Sequence, residues 1–215
     1  MEKKGLIALA VLIILISAVF FAIFFIKQEV IEPPNHDIYY VEDEFDDART
    51  FTVMLNELQS ETEHGSWALL QLSPSYSFGV RFNNITISNN SEIVDAYVEL
   101  YSIGTPGHDH PNCKIYCDNA DNAENFTTTG VLNISGRNYT TNYSLWNATV
   151  SFDEWVKSPS ITESVKEVVS RINWSNGNSI AVLFVSEGYP GYSAAFENYE
   201  NNYPAKLHIL WREKE

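Results

Sequence analysis

The stretch GHDHPNCKIYC places His108, His110, Cys113 and Cys117 within ten positions, four soft donors of the kind that build tetrahedral Zn2+ or copper sites. A disulfide between the two cysteines is the reading that an extracytoplasmic location favours, with free or intermolecular thiols as the remaining alternative. Geometry limits the disulfide. Along an extended strand, Cα atoms four residues apart stand about 13 Å from each other, whereas a bridge needs less than about 7 Å, so the chain would have to turn between them. Just beyond, Asp118, Asn119, Asp121 and Asn122 offer hard oxygens that suit a structural Ca2+, or an Asx-rich turn that bonds its own backbone. A second acidic concentration, Glu42, Asp43, Glu44, Asp46 and Asp47, reads as a solvated face or as a divalent cation site.

Sugar recognition needs aromatic faces and polar side chains beside them. Trp146, Trp155, Trp174, Tyr189, Tyr192 and Tyr199 fall near expected loops. Tyr189 and Tyr192, in a glycine-broken turn, are the leading ligand-binding candidates together with Trp155, while Trp174 reads as a core plug. Nothing points to an enzyme. Asp153 and Glu154 are adjacent and would diverge, and no nucleophile-elbow, zinc-protease or phosphate-cradling motif occurs. The net charge of −15 argues against nucleic acid and anionic headgroups, because no basic patch exists to displace phosphate counterions.

The glycosylation acceptor pattern Asn-x-Ser/Thr occurs at Asn84, Asn89, Asn125, Asn133, Asn138, Asn142, Asn147 and Asn173. Used, these sequons place the folded part in an extracytoplasmic compartment. Positions 133–147 would then be sugar-coated and poor ground for a protein interface.

The elements that must position these groups are mostly strands. Period-two alternation runs through 67–72, 78–82 with 85–87, and 94–101, where Ala96, Val98 and Leu100 oppose Tyr97, Glu99 and Tyr101. Further strands are expected at 148–152, 179–185, 192–196 and 205–211, separated by Gly, Pro and Asn clusters, which is the pattern of an all-β sandwich. One short amphipathic helix interrupts them. Ile161, Val165, Val168 and Ile172 make its apolar stripe, and Ser160 with Glu163 has capping-box spacing.

Ahead of all this, positions 6–26 hold an apolar run with Ser17 as its only polar side chain, long enough to cross a bilayer as a helix. Lys3 and Lys4 precede it, so the N-terminus is expected in the cytoplasm and the remainder outside the cell. The expected organisation is a transmembrane anchor over 1–27, a Pro-containing linker over 28–37 and an extracytoplasmic sandwich over 38–215. A cleaved secretory signal and a pilin-like signal, read from Lys3-Lys4-Gly5, are the alternatives for the apolar run.

Four segments carry a family resemblance. The segment 79–87 with 93–101 resembles the opening "GLRF.n.tIp.ga.I..Ay..f" of the disaggregatase-related or DNRLRE-type β-sandwich domains of archaeal and bacterial surface proteins. In order after it, 115–126 resembles "I.gEd.dNA..F", 165–178 resembles "iiqEivnR.gW.sGNal", and 204–211 resembles the closing "P.L.I.y" strand. The resemblance implies a jelly-roll-like sandwich used as a non-catalytic adhesive or carbohydrate-binding module. The expected function is therefore a membrane-anchored surface protein that binds surface glycans or envelope proteins. The alternative is a structural subunit that self-assembles into a surface filament or envelope layer.

Overall fold

The computed structural model describes residues 32–43, 45–52, 60–63, 70–104, 110–126, 134–188, 190–191 and 193–214, with the side chains of 50–52 and 60–63 left aside. The expected anchor at 6–26 and the first part of the linker lie outside the described residues. Among the described residues no helix is long and apolar enough to cross a membrane. Residues 34–214 belong to one compact unit, Pro34–Glu215.

Alternating side chains give two antiparallel sheets that share one core. The strands are β1 (Asn35–Tyr40), β2 (Asp47–Thr52), β3 (Ser60–Glu63), β4 (Leu70–Leu72), β5 (Tyr76–Ile85), β6 (Ser91–Ser102) and β7 (Asn112–Cys117). After them come β8 (Ser144–Asn147), β9 (Glu154–Lys157), helix α1 (Thr162–Val169), β10 (Asn178–Ser186), β11 (Ala194–Phe196) and β12 (Lys206–Glu213). The first sheet runs β1-β12-β6-β11-β4, with β9 also on β6; the second runs β3-β2-β5-β10-β7-β8. Ala96, Val98 and Leu100 of β6 face Phe78, Val80 and Phe82 of β5 and Val182 and Phe184 of β10 across a fully buried interior. Phe78 stacks on Phe184 at 4.4 Å, and Trp146 lies against Phe196 at 5.6 Å.

The outer face of the second sheet is covered as well. Phe126 and Ile134, from the long connection after β7, pack with Ala48, Ala181 and Leu183 into a smaller core. Strand β10 is thus apolar on both faces, which is why its sequence reads as a continuous hydrophobic run. Gly79 sits where Phe126 descends. A Cβ there would stand 2.6 Å from Phe126 Cζ and 3.1 Å from Leu183 Cδ2. Gly79→Ala is therefore expected to lower stability by about 1–3 kcal/mol through overpacking, measured as a lowered urea midpoint.

Helix α1 closes the side of the sandwich between β6 and β7, burying Val165, Val168 and Val169. It differs from expectation at both ends. The capping box does not form: Ile161 is the N-cap, Ser160 Oγ donates to Asp95 Oδ1 at 2.7 Å, and Glu163 pairs with Lys166 at 2.8 Å. The helix begins one residue later than the box requires, which leaves Ser160 ahead of the N-cap position with its hydroxyl turned to the carboxylate on β6. At the other end Ile172 is 93% exposed, because the helix stops at Val169 and Trp174 plugs the core instead, donating from Nε1 to Ile87 O at 2.9 Å. The strand expected at 148–152 is irregular chain between β8 and β9. It reaches β9 through Asp153, a non-glycine residue at φ 58° whose N–H donates to Ser102 O at 2.9 Å.

Candidate functional site

The residues that carried the family resemblance meet in one place. Arg81 on β5 donates from Nε to Ala123 O at 2.7 Å and from a terminal nitrogen to Ser179 Oγ at 2.9 Å, and it pairs with Asp46 at 2.5 Å. Arg171, after α1, donates to Asp121 Oδ1 at 2.7 Å and to Asn119 Oδ1. Asn122 Oδ1 accepts from Ser179 N at 2.8 Å, and Asn178 Nδ2 donates to Asp121 O at 2.9 Å. Asp118 pairs with the buried Arg137 at 2.7 Å, and Arg137 also donates to Glu124 O and Asn125 O while lying over the Phe126 ring.

All four side chains of the 118–122 cluster thus hold protein donors, two of them arginines, and the cluster ties β7 to β10 and to the chain after α1. The Arg171 hydrogen bond holds the Asp121 carboxyl below its ordinary range. Burial pushes Asp118 up, against the pull of Arg137.

The soft-donor cluster does not assemble as one group. Cys113 and Cys117 are free thiols on the core face of β7, with Ile115 between them on the same side. The strand does not turn between the two residues, so the disulfide does not form. Burial pushes both thiols far above the ordinary range, which leaves them protonated and poor as metal ligands. His110 hydrogen-bonds through its backbone to Ser193 O at 2.8 Å, and His108 lies outside the described residues. Among the described residues, no group of three or more His, Cys, Asp or Glu side chains is arranged to hold a metal ion.

The acidic stretch 42–47 divides. Glu42 and Asp43 are exposed, Glu44 lies outside the described residues, and Asp46 and Asp47 turn inward. Asp46 takes Arg81 and also accepts from Asn83 Nδ2 at 2.6 Å, and Asp47 accepts from Tyr199 N at 2.8 Å. Two of the five acidic residues in this stretch are therefore internal structure.

Of the aromatic candidates, Tyr189 and Tyr192 lie outside the described residues, and Trp146 and Trp174 are core. Trp155 is different. It stands 36% exposed on the outer face of the first sheet, directly opposite Tyr101 in the β6–β9 register. Tyr101 meets it edge-on at 5.5 Å and stacks on Tyr203 at 4.1 Å, and the Lys206 ammonium lies 3.4 Å from the centre of the Trp155 ring. The left-handed Asp153 turns its carboxylate to the Tyr101 hydroxyl, which donates at 3.0 Å. That hydrogen bond raises the Tyr101 phenol to about 12, so it remains a neutral donor. Phe152, next to Asp153, is 45% exposed.

Further along the same face, Tyr97 stacks on His208 at 4.6 Å beneath the Lys157 ammonium. An arrangement of rings, ammonium groups and carboxylates on a flat sheet face can stack on apolar C–H surfaces and hydrogen-bond hydroxyls. Sequence alternation turns Tyr97, Glu99 and Tyr101 outward, which is the signal that marks this patch. Tyr203 joins from an Asn-Pro loop that no periodicity marks.

The sequons define the complementary surface. Asn84, Asn89, Asn125, Asn138, Asn142, Asn147 and Asn173 are all exposed, and Asn133 lies outside the described residues. None of the seven described positions lies on a strand of the first sheet. Asn142 is nonetheless engaged, its Nδ2 donating to Glu167 Oε2 at 2.9 Å. Comparison with protein-family models and with curated proteins finds no match to this chain, so what stands is a two-sheet antiparallel β-sandwich of no identified family.

Proposed function

We propose that this protein is a non-catalytic carbohydrate-binding or adhesion module, held at the cell membrane by its apolar N-terminal segment with the sandwich outside the cell. The observation that carries this reading is the outer face of the first sheet. Exposed Trp155, the Tyr101–Tyr203 stack and the Asp153 carboxylate lie together there, on a face whose strands bear no sequon. The resemblance to DNRLRE-type sandwiches, with the jelly-roll-like order it implies, supports the same reading. Its motif residues form the structural knot around 118–122, which leaves the ligand surface to be found elsewhere.

The test is binding of the full-length chain, extracted from membranes in detergent, to a panel of polysaccharides and purified envelope glycans. Saturable binding to a glycan by a detergent-dependent, monomeric protein is the expected result. Failure to bind any glycan, with recovery of the chain in large assemblies beginning at Leu6, would replace this reading with that of a filament subunit.

A further inference from the structure

We propose that His36 and His208 form a binding site for a borderline divalent transition ion such as Zn2+, held by two imidazoles and completed by water. The residues are 172 positions apart in sequence, yet they come together at the edge of the first sheet, where β1 pairs with β12. The register puts His208 opposite Ile38 and His36 opposite Leu210, so the two rings are diagonal neighbours on one face. His36 Nε2 stands 3.0 Å from His208 Nδ1. Two nitrogen ligands at about 2.0–2.1 Å from a metal stand about 2.9 Å apart at a right angle and about 3.4 Å apart in a tetrahedron. The observed separation falls in that interval, so an ion fits with small ring rotations. The two nitrogens already stand within hydrogen-bond distance of each other.

The surroundings favour this chemistry. His208 is 95% buried, being 5% exposed, with its ring fixed by the stack on Tyr97, while His36 is exposed and leaves a path for the ion. On the far side of His208, Glu99 Oε2 lies 3.2 Å from Nε2, close enough to be electrostatic but not aligned as a hydrogen bond. An ion at Nδ1 would place the proton on Nε2 and draw it toward that carboxylate, the usual outer support of a metal-bound imidazole. Glu99 Oε2 also accepts Lys206 at 3.5 Å, so one carboxylate oxygen faces both the ammonium, which lies over Trp155, and His208 Nε2. Two imidazoles select a borderline ion over Ca2+ or Mg2+, which take oxygen ligands. The bound ion would fasten β1, the strand that follows the Pro33–Pro34 pair, to β12.

The experiment is isothermal titration of the full-length chain in detergent with Zn2+, and with Ca2+ as control, on the wild type and on His36→Ala, His208→Gln and Glu99→Gln. His36 is exposed, so its variant leaves the fold intact even where the buried His208 variant does not. The expected result is one equivalent of Zn2+ lost on His36→Ala, about tenfold weaker binding at that site on Glu99→Gln, and no Ca2+ binding there. No Zn2+ binding by the wild type, or the same number of Zn2+ equivalents at the same affinity in His36→Ala, would overturn the proposal.

Discussion

Replacing Arg137 with alanine is expected to lower the unfolding free energy by about 3–5 kcal/mol, as breaking a buried ion pair from one side does. The Arg137 side chain is 1% exposed and pairs with Asp118, itself only 10% exposed. Removing the guanidinium leaves a buried carboxylate without its counter-charge. It also frees the carbonyls of Glu124 and Asn125 and uncovers the Phe126 ring, whose packing against Gly79 holds the outer core of the second sheet. The measurement is the urea midpoint at constant m-value. A loss under about 1 kcal/mol would mean that the 118–126 segment is held by other contacts.

The second large effect concerns pH. Burial, with Glu200 and Asp46 adding like charge, raises the Asp47 carboxyl to about 7, against an ordinary value of 3.8, and the Tyr199 amide only partly opposes this. In the unfolded chain Asp47 loses its proton near pH 4, whereas in the folded chain it keeps it until about 7. Between those values the folded state binds more protons, so stability falls as pH rises through that window and then levels off. The cost at pH 8 is on the order of 4 kcal/mol.

Asp47→Asn removes the titration while retaining an oxygen for the Tyr199 amide. The variant is expected to be more stable than the wild type at pH 8, with the gap closing toward pH 4. A wild type that gains on the variant as pH rises would contradict the assignment, because it would mean that the ionised carboxylate is favoured in the fold.

Much of the fold was legible, for identifiable reasons. Strand β6 alternates strictly because one face meets the core and the other meets water, and its inward and outward sets match the sequence pattern. The helix stripe held at Val165 and Val168 and failed at Ile172. The periodicity runs past the point where Arg171 is captured by Asp121, a contact 50 positions away that no local pattern encodes. Cys113 and Cys117 read as chemistry because of their residue types, but their even spacing on β7 turns both into the core. The acidic pair at 46–47 reads as a solvated face or a cation site because its partners are distant in sequence: Arg81 lies 35 positions on from Asp46, and the Tyr199 amide 152 positions on from Asp47. The candidate site was visible at Trp155 and in the outward row of β6. Tyr203, Lys206 and Asp153 were not, because what makes them a patch is strand register and one left-handed turn.

The most direct test of the ligand face compares two exposed rings on opposite sides of the sandwich, using the full-length chain and whichever glycan the panel identifies. Trp155→Ala is expected to weaken binding by about tenfold or more, with the melting temperature little changed. Tyr143→Ala, a ring 48% exposed within the Asn142 sequon, is expected to leave binding as it was. Binding that survives Trp155→Ala, or that is lost equally in both variants, would contradict the assignment of this face as the ligand surface.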